Sequence, residues 1–149
     1  MKRSVLAFLI LLVSMSAVFA DTTIGFGYGG LTSPTEDFKA RQQSGWSAGA
    51  WFPMAETVNL ALETTQAEST VLYSAGIEPH WAHVGIGFGA TYLAVGDVNS
   101  LGAYIGPSLR LFQQERVGLK FSARYHILCD EVLSRDKYVD AKAMLTVTF

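Results

Sequence analysis

Cysteine is nearly missing from this chain: Cys129 is the only one in 149 residues. A scaffold stapled by internal disulfides is therefore excluded, whatever the redox compartment. Charge is also sparse. Asp, Glu, Lys and Arg make up 16% of the sequence, 11 basic against 13 acidic, with a formal net charge of −2. With no basic stripe, nucleic acid is not an expected partner. The three histidines, His80, His83 and His126, lack the spacing of a ligand set, so no metal is expected and no cofactor either. Beyond residue 20 there is no apolar run near the ~20 residues that a membrane helix needs, and no apolar stripe of helical period.

The one long apolar run lies at the start. Lys2 and Arg3 precede a core from Val5 to Val13, and Ala17, Phe19 and Ala20 lead into Asp21 in an A-x-A-like pattern. This is the layout of a secretory signal peptide, with cleavage expected after Ala20. Removing it leaves a single domain of residues 21–149 that is more acidic than the whole chain.

What remains has a period of two. Eight segments alternate: Thr22–Gly30, Ser44–Phe52, Thr57–Thr65, Val71–Trp81, Val84–Val95, Leu101–Phe112, Val117–Leu128 and Tyr138–Phe149. Turn residues separate them. Pro53–Glu56, Ala82–His83 and Gln113–Arg116 are short, whereas Leu31–Gln43 and Cys129–Lys137 are long and polar. The expected fold is all-β, an eight-stranded antiparallel up-and-down barrel.

The two faces of these segments differ. Val58, Leu60 and Leu62 share a side, with Glu63 opposite; Tyr73, Ile77 and Trp81 oppose Glu78 and His80. Leu109 and Leu111 oppose Arg110, and Val117, Phe121 and Ile127 oppose Lys120, Arg124 and His126. In the last segment Leu145, Val147 and Phe149 oppose Asp140 and Lys142. A slip of one residue would reverse every assignment, so register is strongly specified. A soluble barrel keeps its apolar face inside; a transmembrane barrel turns it outward to lipid. Export, strand length and rim aromatics favour the second arrangement. Tyr28, Trp46, Tyr73, Trp81, Tyr92 and Tyr125 stand near segment ends on the apolar face, where a girdle at the membrane–water interface is expected. The lumen would then hold a polar network of Glu63, Glu78, His80, Arg110, Lys120, Arg124, Asp140 and Lys142.

Glycine recurs at alternate positions twice, at Gly25, Gly27 and Gly29 and at Gly85, Gly87 and Gly89. Because an eight-stranded interior is just wide enough for side chains, the missing side chains are expected to make room for the charged ones, or to let the wall bend. Gly25–Gly30 also fits G-x-G-x-x-G, but the following "LTSPTED" is a turn-like stretch rather than the helix of a dinucleotide site.

The closing "DAKAMLTVTF", with Leu145, Val147 and Phe149 at alternate positions, resembles the last strand of bacterial outer-membrane β-barrels. That resemblance implies recognition by the barrel-assembly machinery, and outer-membrane lipid and lipopolysaccharide as surroundings. The whole pattern resembles the small class that includes the OmpA membrane domain and opacity-type proteins, and less closely the lipid A deacylases. In "SARYHILCDE", His126 stands where a deacylase carries its catalytic histidine, but the nucleophile position two residues on is Leu128, which cannot attack a carbonyl. The principal expectation is a non-enzymatic outer-membrane barrel, with a plugged polar lumen, that is structural or acts through short outer loops. An outer-leaflet lipid A-modifying enzyme using His126 and a narrow channel are the alternatives. No extracellular ligand follows from the sequence.

Overall fold

The computed structural model describes residues 21–32, 42–68, 70–114, 116–129 and 138–149. The signal peptide expected over residues 1–20 lies outside the described residues, as do Glu36, Asp37, Asp130 and Glu131 of the long polar connections read from the sequence.

Eight antiparallel strands close into a barrel in chain order. They are β1 (Thr23–Thr32), β2 (Gln42–Ala55), β3 (Val58–Ala67), β4 (Thr70–Trp81), β5 (Val84–Val95), β6 (Val98–Gln114), β7 (Val117–Leu128) and β8 (Tyr138–Thr148). β8 returns to pair with β1, Thr23 to Thr148 and Thr32 to Val139, so no edge is left open. The closure is tied at its lower end by Asp21 N–H donating to the Phe149 carbonyl (3.1 Å) and Phe149 N–H donating to that of Thr22 (3.0 Å). The paired positions run from Thr23 through Trp51, Ala61, Gly76, Gly89, Tyr104, His126 and Tyr138, and reach β1 again just past Thr32. The ladder thus climbs by about ten residues in one circuit, the stagger that tilted strands require for closure.

Two strands overrun the alternation by several residues, β2 and β6. β2 continues through Pro53 to Ala55, and a register shift between Pro53 and Ala55 accommodates the proline, which has no N–H to give. β6 begins at Val98, three residues before the sequence reading, because β5 and β6 pair up to Val95–Val98. Their connection shrinks to a tight hairpin in which Gly96 takes φ of 58°, the left-handed region open to glycine.

Glycine clears lumen space, as expected, at one position, and at another it serves close approach of neighbouring strands. A Cβ on Gly87 would stand against the Arg124 guanidinium and the Tyr104 ring, at 3.4 and 3.5 Å, so this glycine clears lumen space. A Cβ on Gly27 would instead run into the backbone of β8, with Met144 Cα at 2.6 Å, so that glycine permits close approach of the strands.

Candidate functional site

Alternation along the tilted strands sends charged side chains into the barrel from five strands. Glu63 on β3 accepts from Arg124 of β7 at one oxygen and from Lys142 of β8 (2.9 Å) at the other. Glu78 on β4 accepts from Lys120 of β7 and from Arg110 of β6 (3.3 Å) through one oxygen, and its second lies 3.8 Å from Arg124. Asp140 on β8 pairs with Lys142 (2.7 Å) and with Nε2 of His126 (3.1 Å). A continuous network of ion pairs from Arg110 to Asp140, ending in the hydrogen bond to His126, therefore runs through the lumen. Two rings complete it: the Arg124 guanidinium lies over Tyr104 at 4.4 Å and the Lys120 ammonium over Trp51 at 4.2 Å, distances that suit cation–π attraction. His80 faces the same interior near the end of β4 and is only partly buried. Isolated ions in such an interior would be costly. Shared carboxylates with several donors each are what offsets the desolvation.

The lumen is not polar throughout, and this departs from the sequence reading. Above the ion pairs, at the end carrying the long loops, Leu31, Ala67, Leu72, Leu93, Leu128 and Tyr138 form a buried cluster with Val95 packed against it. Leu128, the position compared with a deacylase serine, belongs to this layer. Below the ion pairs, Trp51 packs with Ala61 and Met144. The interior is thus stacked: an apolar layer at the loop end, ionised groups in the middle, and Trp51 with its neighbours toward the end where the termini meet.

The outer wall carries the apolar residues. Phe26, Ile77, Ile86, Phe88, Leu101, Ile105, Phe121, Ile127 and Leu145 are all exposed. Of the rim aromatics, Tyr28, Tyr73, Trp81 and Tyr92 are exposed and Trp46 and Tyr125 are partly covered. Tyr28 donates to Ser44 Oγ (2.7 Å), Trp46 stacks on Phe26 and Tyr73 leans on Tyr92. Leu145, Val147 and Phe149 point outward along β8, exposed beside the closure with β1.

His126 is 1% exposed and sealed beneath Leu128. Its Nε2 is engaged with Asp140 and its Nδ1 has no partner. Acyl transfer needs a nucleophile within hydrogen-bond reach of the base and access for the ester. Among the described residues no hydroxyl or thiol is hydrogen-bonded to this ring, and Cys129 turns to the outside. His83 sits exposed in the β4–β5 turn, far along the strand from His126.

No family model and no curated protein sequence matches the chain. Solved structures do. The N-terminal β-barrel domain of Pseudomonas aeruginosa OprF superposes with a TM-score of 0.65 at 13% identity, over 87% of this chain and 98% of that one. The fold is that of the small outer-membrane β-barrels. Ail, the attachment invasion locus protein of Yersinia pestis, matches with a TM-score of 0.58 at 15% identity over 87% and 98%, and Neisserial surface protein A with 0.54 at 15% over 86% and 97%. At such identities the likeness to small outer-membrane barrels is one of architecture, and the contents of this lumen are the chain's own.

Proposed function

We propose that this chain is a non-conducting bacterial outer-membrane barrel, exported by the leader at residues 1–20 and spanning the bilayer as one domain from residue 21 to 149. It is a rigid scaffold that presents its outer connections to the surroundings. The observation that carries this reading is the inversion of the barrel. Leucine, isoleucine and phenylalanine stand exposed on the outer wall, while Glu63, Glu78, Lys120, Arg124, Asp140 and Lys142 are buried within it. In water that arrangement would expose a girdle of grease and bury charge; in a bilayer it matches each surface to its medium. Tyr28, Trp46, Tyr73, Trp81, Tyr92 and Tyr125 act in this reading as interfacial anchors against lipid and lipopolysaccharide headgroups. Leu145, Val147 and Phe149 present the assembly signal to the insertion machinery of a Gram-negative cell.

The plug is the second part of the proposal. Ion pairs fill the middle of the lumen and apolar side chains close its loop end, which supports a scaffold over a channel. The burial of His126 and the leucine at position 128 support a scaffold over a lipid A deacylase. The test combines fractionation with electrical recording. The protein should sediment with outer membranes, migrate differently on gels before and after boiling, and leave a planar bilayer silent. Recovery as a soluble periplasmic protein, or stepwise conductance from the purified barrel, contradicts the proposal.

A further inference from the structure

Strand β6 carries a proline in its interior, where a closed barrel can least use one. Pro107 pairs with Ile86 of β5 on one side. On the other side the β6–β7 ladder joins Ile105 to Tyr125 and resumes at Ser108 with Ser122. The register sets Gly106 opposite Arg124 and Pro107 opposite Ala123, and the ladder skips both. Proline has no N–H to donate. The carbonyl left waiting for it is that of Ala123, which points at β6: a Cβ on Gly106 would run into its oxygen. The nearby Ser108 and Ser122 hydroxyls have no hydrogen-bond partner, so neither serves it. Ala123 thus keeps a backbone acceptor without a donor midway along β7. In hydrocarbon no water can pair such a group, and leaving it unmet is costly.

A second, independent feature marks the same place. An open groove of about 400 Å³ on the outer wall is lined by Val84, Pro107, Leu109, Phe121, Ala123 and Ala141. It also touches Ser108, Ser122 and Lys142, which are buried and alternate toward the lumen. Lys142 spends its ammonium there on Glu63 and Asp140. The outward-facing lining therefore holds no charge and one unmet acceptor. An anion would find nothing to attract it, and a cation would find no carboxylate. A plain hydrocarbon chain would fill the space and leave the carbonyl unpaired. An alkyl chain with one hydroxyl satisfies both.

We infer that this groove is a docking site for an acyl chain bearing a single hydroxyl, from a hydroxylated membrane lipid. The hydroxyl donates to the Ala123 carbonyl in place of the N–H that Pro107 lacks, and the chain lies along the apolar lining. This rests on the reading that the outer wall faces lipid.

The test uses the purified full chain folded in detergent micelles. The probe is a long-chain fatty acid methyl ester with one mid-chain hydroxyl, and the control is the same ester without it. The Ala123 carbonyl carbon is followed by NMR through the amide of Arg124. It should shift saturably with the hydroxylated ester and stay in place with the control. Pro107→Ala restores the N–H and closes the ladder, so it should abolish the shift while the barrel still folds. Ala141→Leu leaves the carbonyl unpaired but narrows the groove, and should weaken the apparent affinity about fourfold for each methylene it displaces. An equal response to both esters, no response, or a saturable shift that survives Pro107→Ala overturns the inference. A shift that follows protein concentration with no ester added also overturns it, because the occupant is then a second copy of the chain. Failure of the lipid-facing reading shows separately, as a chain that folds and stays soluble without detergent.

Discussion

Replacing Glu63 by glutamine should be among the most damaging isosteric changes in this molecule. The carboxylate is 2% exposed and holds Arg124 at one oxygen and Lys142 at the other. Glutamine keeps the volume and one acceptor but removes the charge both cations face. Breaking a buried pair by removing one partner costs about 3–5 kcal/mol, because the other is left uncompensated. Here the two cations fare differently. Lys142 keeps Asp140 at 2.7 Å, whereas Arg124 falls back on Glu78 Oε2 at 3.8 Å and the Tyr104 ring at 4.4 Å. The lower end of the range, about 3 kcal/mol, is therefore expected, a shift of roughly a hundredfold or more in the folding equilibrium. Urea unfolding in phospholipid vesicles, followed by tryptophan fluorescence and by gel mobility without boiling, measures it, with an unchanged m-value confirming that stability alone has moved. Glu63→Leu combined with Arg124→Met should recover much of the loss, since an apolar replacement leaves no buried charge unpaired at that site. A Glu63→Gln protein within about 0.5 kcal/mol of the parent would refute the reasoning, because surface substitutions behave that way and buried ion-pair members do not.

Further outcomes follow from the same geometry. Ile105→Arg places a charge on an outer position that is 54% exposed and should cost roughly 2–4 kcal/mol in vesicles if that face meets the bilayer midplane; Ile105→Leu is the control, and equal effects would invert the face assignment. Gly27→Val should block assembly, measured as loss of the fast-migrating unboiled gel band, because its side chain would run into the β8 backbone at Ala143 and Met144. Gly30→Ala, whose Cβ would meet only the Gln43 carbonyl at 3.5 Å, should leave that band in place. Leu93→Ser puts a hydroxyl into the upper apolar layer. It should lower stability by about 2–5 kcal/mol in the urea assay, the range for a large-to-small core change.

Strand positions were readable because period-two alternation over ten residues leaves little room for error. β5 and β7 begin and end where the pattern predicts. β2 and β6 overran because Pro53 and the polar run Asn99–Ser100 look like turns, and pairing with a neighbour overrode them. The position of each charge on the inner face was also legible, since Glu63, Arg124 and Asp140 each fall on the face opposite the large apolar residues of their strand. Which cation would meet which carboxylate was not, because partners on non-adjacent strands depend on barrel stagger. The upper apolar layer was invisible for another reason. Leu31, Leu72, Leu93 and Leu128 each sit singly near a strand end, on the face that carries the charges. One leucine per strand does not change the character of a face, and only closure gathers them. Trp51 was hidden beside Phe52, where two consecutive aromatics blur the alternation.

The account rests on which surface of the barrel meets lipid, and tryptophan quenching by brominated acyl chains reads that directly. In single-tryptophan versions reconstituted in such lipid, emission from Trp81, 61% exposed on the outer wall, should be strongly quenched. Emission from Trp51, enclosed in the lumen under Lys120, should be untouched. Quenching of Trp51 with Trp81 spared would turn the barrel inside out and contradict the account.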